Sequence, residues 1–186
     1  MMRIKLPLVL AVAAQALGAQ QKRPITFEDF ASVRAVSDPQ PSPDGRTVLY
    51  AVRTADVAAN RRSGKTYLTS VAGGAPHAFP AEDVSASEAR WSPDGRRIAY
   101  IAGGQLWIAD ADGMNRKQLT KLSGGATGPI WSANSSLIAF TSSVYPDCST
   151  DACNSTRDST GAANPVKAHI ADQLMFRHWN AWGGPK

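Results

Sequence analysis

Three histidines and two cysteines are the side chains in this 186-residue chain best suited to chemistry, and their spacing argues against most of it. His77, His169 and His178 lie far apart, and none sits in H-E-x-x-H. No P-loop and no G-x-S-x-G elbow occurs anywhere in the chain. The sequence thus lacks the recognisable signatures of a zinc peptidase, a nucleotide hydrolase or an exposed hydrolase serine. No catalytic, cofactor-binding or metal-ligating residue is assigned. His77 follows a Gly-Gly-Ala-Pro turn and reads as a solvated loop residue. His178, between Arg177 and Trp179 in an apolar stretch, reads as a packed or hydrogen-bonded histidine, with cavity lining as the alternative.

Cys148 and Cys153 are separated by four residues in a polar stretch. In an oxidising compartment that spacing reads as a local disulfide. A loop so short stabilises by only about 2 kcal/mol on the chain-entropy model. A metal site shared with His169 or His178 is the alternative, although no second cysteine or histidine pair supports it. Other clusters read more simply. Asp110-Ala111-Asp112-Gly113 lacks the alternating acids and late glutamate of a calcium loop and reads as a hairpin turn. Arg61-Arg62-Ser63-Gly64-Lys65 reads as a solvated basic loop, with phosphate binding as the alternative. Asn134 and Asn154 each open an N-x-S/T sequon.

These residues belong to a repeating scaffold. Pro41-Ser42-Pro43-Asp44-Gly45 precedes the apolar run at 48–52, and fifty residues later Trp91-Ser92-Pro93-Asp94-Gly95 precedes the run at 98–102. Forty further on, Trp131-Ser132-Ala133-Asn134-Ser135 precedes the run at 137–140, a turn that departs from Pro-Asp-Gly. Ser-Pro-Asp-Gly is turn chemistry: proline presets φ, aspartate bonds back to the main chain, and glycine takes the left-handed position. The run after each turn is apolar on both faces, so it needs cover on both sides. Second strands are expected at 66–71 and 105–109, and a short exposed strand at 117–120. A period of forty to fifty built from short strands is the signature of propeller blades. The predicted fold is therefore all-β, an incomplete β-propeller of about three blades with the last unfinished. Trp91 and Trp131 are expected to plug between blades.

The flanks break the repeat. Residues 1–19 form a signal peptide: basic Arg3 and Lys5, an apolar stretch at 6–17, then small residues to Ala19. Residues 20–40 form a lead-in with a short helix over 25–36, where Thr26-Phe27-Glu28-Asp29 fits a capping box. The partial propeller covers 41–186, with a surface loop insertion at 145–165. Residues 173–179 read as a strand and 181–186 as the turn after it. With no partner strand following, the chain reads as the beginning of a larger protein. The net charge of +5 falls to an excess of about three once the leader is removed, too little to demand a nucleic-acid partner. No apolar run reaches the roughly 20 residues of a membrane span. The leader implies a periplasmic or secreted location.

At four passages the chain resembles the N-terminal part of secreted bacterial serine peptidases of the prolyl-oligopeptidase family, of the dipeptidyl-peptidase or acylaminoacyl-peptidase kind. They are Ile25-Thr26-Phe27-Glu28-Asp29-Phe30 through Val36-Ser37-Asp38-Pro39-Gln40, the repeats, Ser142 to Cys148, and Pro165 to Trp179 with its Arg177-His178-Trp179. The resemblance implies a propeller that caps a C-terminal α/β-hydrolase domain and limits access to short peptides. The triad serine, aspartate and histidine belong to that later domain. Some exopeptidases of the family hold the substrate's amino terminus with propeller acids, a role to which Glu28, Glu82 and Glu88 cannot be matched. The alternatives are a non-enzymatic periplasmic propeller similar to the Tol-system scaffold that binds partner proteins, and a part-propeller that closes by self-association through its open edges.

Overall fold

The computed structural model describes residues 23–166 together with the backbone of residues 177–178 and 181–182. Residues 1–19, read above as a signal peptide, and His169 lie outside the described residues. Two antiparallel four-stranded sheets follow one another along the chain, each a meander in sequence order. The first comprises β1 (Ala35–Pro41), β2 (Thr47–Asp56), β3 (Arg61–Ser70) and β4 (His77–Phe79). The second comprises β5 (Ser87–Trp91), β6 (Arg97–Ala102), β7 (Gln105–Asp110) and β8 (Lys117–Gln118). A third sheet has two strands, β9 (Thr127–Trp131) and β10 (Ile138–Thr141). Consecutive meanders stacked face to face are the blades of a partial propeller, all-β as the repeat requires.

The sequence places the first blade's start too late. The expected boundary at Pro41 falls inside the sheet, because β1 begins at Ala35 and pairs with β2. The lead-in helix is correspondingly short: α1 covers Phe27–Ser32, with the capping box formed between Thr26 and Asp29. β1 was hidden because it is polar, contains two prolines and buries none of its residues. Arg61 and Arg62 also sit in a strand, β3, and not in a loop. His77 is exposed but opens β4, opposite Leu68.

Burial explains the doubly apolar run at 98–102. Four consecutive residues of β6, Ile98, Ala99, Tyr100 and Ile101, are buried. Ile98 and Tyr100 pack with Leu49, Leu68 and Phe79 of the first blade. Ala99 and Ile101 join Leu106 and Ala126, with Trp131 and Ile138 of the third blade against them. Strand alternation thus sends one set of side chains to each neighbouring blade. Phe79 meets Tyr100 edge to face across the first joint, ring centroids 5.5 Å apart.

The turn before each central strand is wired alike. Ser42 Oγ donates to Asp44 Oδ1 at 2.6 Å, and Thr47 N donates to Ser42 Oγ at 3.0 Å. Ser92 and Asp94 repeat this at 2.6 Å, with Arg97 N on Ser92 Oγ at 2.9 Å. The third turn keeps the pattern despite its different residues. Ser132 Oγ donates to Asn134 Oδ1 at 2.8 Å, and Leu137 N donates to Ser132 Oγ at 2.9 Å. Asparagine's amide oxygen replaces the carboxylate, and Ser135 takes glycine's left-handed place at φ 58°.

The insertion at 145–165 is not a loop throughout. It holds α2, Asp151–Ala163, started by Thr150, whose hydroxyl accepts from the Cys153 amide. Its Ser, Thr and Asn composition is a poor helix signal, and three local contacts compensate for it. A disulfide joins Cys148 to Cys153 across the helix start, with Cα atoms 5.5 Å apart. Asn154 is buried, accepts from the Tyr145 amide at 2.8 Å and donates to the Thr150 carbonyl at 3.2 Å. Asp151 Oδ1 accepts from the Ser123 amide at 3.0 Å, tying α2 back to the blades. Residues 181–182, expected in a turn, form β12 (Ala181–Trp182), which pairs with β11 (Arg177–His178). The partner strand that the sequence reading found missing is thus those turn residues.

Candidate functional site

The first strand of each blade carries one irregular position, at the equivalent place in all three blades. β1 and β5 each have a bulge, and Asp38 and Glu88 occupy it with φ of 53° and 50°. The corresponding residue of β9 is Gly128, at φ 60°. A left-handed residue here kinks the strand and re-aims its side chain. Both carboxylates reach the next blade. Asp38 accepts from Arg90 Nη1 at 2.7 Å and from Gln40 Nε2 at 2.9 Å. Glu88 Oε2 accepts from the Gly128 amide at 2.6 Å. Burial tends to push the Asp38 carboxyl up, but hydrogen bonds from Arg90 and Gln40 prevail and hold it below its ordinary value.

Each interblade tryptophan then donates to the strand before it. Trp91 Nε1 bonds the Gln40 carbonyl at 3.1 Å, and Trp131 Nε1 bonds the Arg90 carbonyl at 3.0 Å. Arg97 stacks over the Trp131 ring, 5.0 Å from its centroid, while donating to the Ser135 carbonyl at 2.7 Å. These indoles are structural joints, the packing role expected from the repeat.

A second feature has no counterpart in the next blade. β2 and β3 run ten residues each, against six for β6 and β7. The extra pairs, Arg53↔Gly64 to Asp56↔Arg61, form an arm exposed along Arg53 to Asp56. A groove of about 340 Å³ separates it from α1, lined by Phe27, Phe30, Val57 and the arginines 61 and 62 among others. Phe27 and Phe30 are 64% and 70% exposed, so α1 displays its aromatic side chains. Arg23 holds the Asp29 carboxyl down to about 2, helped by the Thr26 amide.

The singled-out residues mostly have structural partners. Glu82 pairs with Lys65 at 3.1 Å, and Glu28 is exposed on α1. Asp110 and Asp112 close a turn, with Gly113 N on the Asp110 carbonyl and Met114 N on Asp112 Oδ1, both at 2.9 Å. Buried Asn154 is a poor glycan acceptor, whereas Asn134 is exposed. Of His178 only the backbone is described, in β11. Among the described residues no group of three His, Cys, Asp or Glu side chains is placed to hold a metal ion. Sequence reading missed the bulge series. Its one signal was positional, since residues 38, 88 and 128 keep the spacing of the turns that follow them.

The chain is similar to several known proteins. Dipeptidyl-peptidase 5 of Porphyromonas endodontalis is 25% identical over 145 residues, covering 76% of this chain and 20% of that protein. Dipeptidyl-peptidase 5 of Porphyromonas gingivalis is 29% identical over 176 residues, covering 92% and 25% respectively. The chain thus spans a fifth to a quarter of the length of these curated relatives. Among solved structures, the acylaminoacyl peptidase of Pyrococcus horikoshii superposes with a TM-score of 0.49 at 25% identity, over 57% of this chain and 17% of that one. The β-propeller domain of the Trilobed protease from Pyrococcus furiosus gives 0.45 at 23%, over 57% and 33%. The family model described as dipeptidyl peptidase IV (DPP IV) N-terminal region matches residues 42–134, from the first Ser-Pro-Asp-Gly turn to the third turn's Asn134. With both Ser-Pro-Asp-Gly turns, the whole second blade and the interblade tryptophans 91 and 131 inside that match, this chain belongs to the DPP IV N-terminal region family, the propeller part of prolyl-oligopeptidase-type peptidases.

Proposed function

We propose that this chain is the substrate gate of a secreted or periplasmic serine peptidase that hydrolyses short peptides. Catalysis belongs to a C-terminal α/β-hydrolase domain, where a serine hydroxyl attacks the scissile carbonyl as a histidine takes its proton and passes it to the leaving amine, leaving an acyl-enzyme. The propeller contributes exclusion: a ring of stacked blades passes a flexible peptide and rejects a folded protein. The observation that carries this reading is the family match across 42–134 on a stack of blades joined by Trp91 and Trp131. The bulge residues Asp38, Glu88 and Gly128 share one strand of each blade, where they would set the polarity of the passage. The leader pattern at 1–19 and the Cys148–Cys153 disulfide support an oxidising compartment outside the cytoplasm.

The test uses the full-length protein. Its rates on a dipeptidyl chromogenic substrate and on a folded protein are compared before and after Trp131→Ala, which loosens a blade joint. The expected result is turnover of the small substrate, blocked by a serine-directed inhibitor, with the large-to-small rate ratio rising in the variant. No turnover of short peptides overturns the peptidase reading. An unchanged ratio overturns the gate.

A further inference from the structure

The two joints are built from the same parts, and at one place they differ. In the second joint Arg97 lies over the Trp131 ring, 5.0 Å from its centroid, and donates to the Ser135 carbonyl at 2.7 Å. Ser135 also closes that joint with its hydroxyl, which accepts from the Asp94 amide at 3.1 Å. The equivalent residues of the first joint are Thr47 for Arg97, Trp91 for Trp131, Gly95 for Ser135 and Asp44 for Asp94. The indole keeps its anchor, since Trp91 bonds the Gln40 carbonyl as Trp131 bonds the Arg90 carbonyl. Both closing groups are missing, because threonine is too short to cover the ring and glycine has no side chain. What remains is a cleft of about 420 Å³, lined by Asp44, Thr47, Trp91, Asp94 and Gly95 among others. Among the described residues no cation lies over Trp91. Two carboxylates edge the cleft. The Ser42 hydroxyl and the Arg46 amide hold the Asp44 carboxyl below its ordinary value, and the Ser92 hydroxyl and the Arg96 amide do the same for Asp94. Both are therefore ionised at neutral pH. Arg46 and Arg96 are exposed and do not line the cleft. An indole face, a backbone carbonyl and two anions suit a planar cation that stacks and donates at once.

We propose that this interblade cleft binds the arginine side chain of a peptide, with its guanidinium over Trp91, donating to the Gly95 carbonyl, between Asp44 and Asp94. The chain supplies its own precedent, because Arg97 makes the first two of these contacts in the next joint. The cleft lies between two blades whose four strands are all described, so its walls are complete. Charge selects the occupant: a neutral side chain of the same shape leaves both carboxylates unanswered. The inference rests on the geometry of the joints and not on peptidase activity.

The test is fluorine NMR of the full-length protein labelled with fluorotryptophan, its Trp91 signal identified by its loss in Trp91→Phe. The probe is the capped peptide acetyl-Gly-Arg-Gly-amide. Its control carries citrulline, which keeps the shape of arginine and removes the charge. The arginine peptide should move the Trp91 signal saturably. The citrulline peptide should bind roughly tenfold more weakly, the loss expected when a stacked, hydrogen-bonded cation becomes neutral. Thr47→Arg places the chain's own guanidinium where Arg97 sits in the next joint and should abolish the response. Asp44→Asn together with Asp94→Asn should weaken binding roughly tenfold while the turns persist, since Asn134 already fills this place in the third turn. A Trp91 signal that ignores the arginine peptide overturns the proposal, and so does an equal response to both peptides. An undiminished response in the asparagine double variant, or in Thr47→Arg with a wild-type urea midpoint, overturns it as well. Peptide bound in a catalytic domain leaves the Trp91 signal unmoved, so this outcome and that of the hydrolysis assay are independent.

Discussion

Replacing Trp91 by phenylalanine isolates the hydrogen bond that joins the first two blades. The ring plane and most of the packing survive, while the 3.1 Å bond from Nε1 to the Gln40 carbonyl is lost. A net protein hydrogen bond contributes about 1 kcal/mol, and an acceptor left dry costs somewhat more. Trp91 is half-buried, so water can reach part of the joint, and the lower figure applies. Trp91→Phe should therefore cost about 1 kcal/mol, or about 2–4 °C in Tm for a chain of this size. Trp91→Ala removes the ring as well. Its cost should approach about 3 kcal/mol, the low end for deleting a large aromatic side chain, because burial is partial.

The assay is urea unfolding followed by circular dichroism, with Trp107→Phe as the control. Trp107 also donates to a carbonyl, that of Ala102 at 3.1 Å, but within its own blade. Both phenylalanine variants should lose similar stability. Only the Trp91 variant should broaden the transition, because it weakens coupling between units whose stability is a sum of nearest-neighbour terms. If Trp91→Phe is silent while Trp91→Ala is costly, the joint is packing alone and the bond is incidental. If both are silent, the stacking of blades through this residue is wrong.

Other outcomes follow from the same geometry. The Asp38 carboxyl is held below its ordinary value, so its pairing with Arg90 stabilises the fold above about pH 4 and is lost as pH falls through the depressed folded value. Asp38→Asn should flatten the acid limb of the unfolding free energy from urea titrations between pH 6 and pH 3 by less than about 1 kcal/mol, since the pair is one-third exposed. Gly45→Ala meets no atom within 4 Å and should cost about 1 kcal/mol for its φ of +70°. Gly113→Ala places a Cβ 2.5 Å from the Pro80 carbonyl oxygen and should cost on the order of 3 kcal/mol in the same urea unfolding assay. Paired Cys148→Ser and Cys153→Ser changes should speed amide exchange in α2 while leaving β6 protected, because the disulfide closes only a local loop. N-terminal sequencing of protein exported from a bacterial host should find a mature start near Gln20.

Legibility followed burial and turn chemistry. The Ser-Pro-Asp-Gly turns and the runs at 98–102 announced themselves because only glycine readily takes the left-handed corner and only a doubly covered strand is apolar at every position. β1, β5 and β9 stayed hidden for the opposite reason. They are largely exposed, their bulges break the alternation, and prolines at 39, 41 and 129 argue against a strand. The third turn looked deviant because residue types were compared. What the turn requires is an acceptor oxygen two residues after the serine, and Asn134 supplies one as Asp44 and Asp94 do. α2 was obscured by its Ser- and Thr-rich composition. Its stability comes from Thr150, the disulfide and buried Asn154, none of which has a periodic signature.

The same joints explain why a site in this chain is found in positions and not in a cluster of reactive groups. In the described residues each blade has one left-handed residue at the equivalent place of its first strand, and its carboxylate, where present, is engaged by the next blade: Asp38 by Arg90, Glu88 by the Gly128 amide. A group that is both at the bulge and part of a joint cannot move without shifting its neighbour. Changing Glu88 to glutamine keeps an oxygen for the Gly128 amide and should leave the fold intact while removing one negative charge from that side. Changing it to alanine removes both the charge and the acceptor. Comparing the two variants in the full-length protein therefore separates electrostatics from architecture. If cationic peptides lose rate equally in both, the charge of the bulge series matters to function. If only alanine loses rate, Glu88 serves the joint alone.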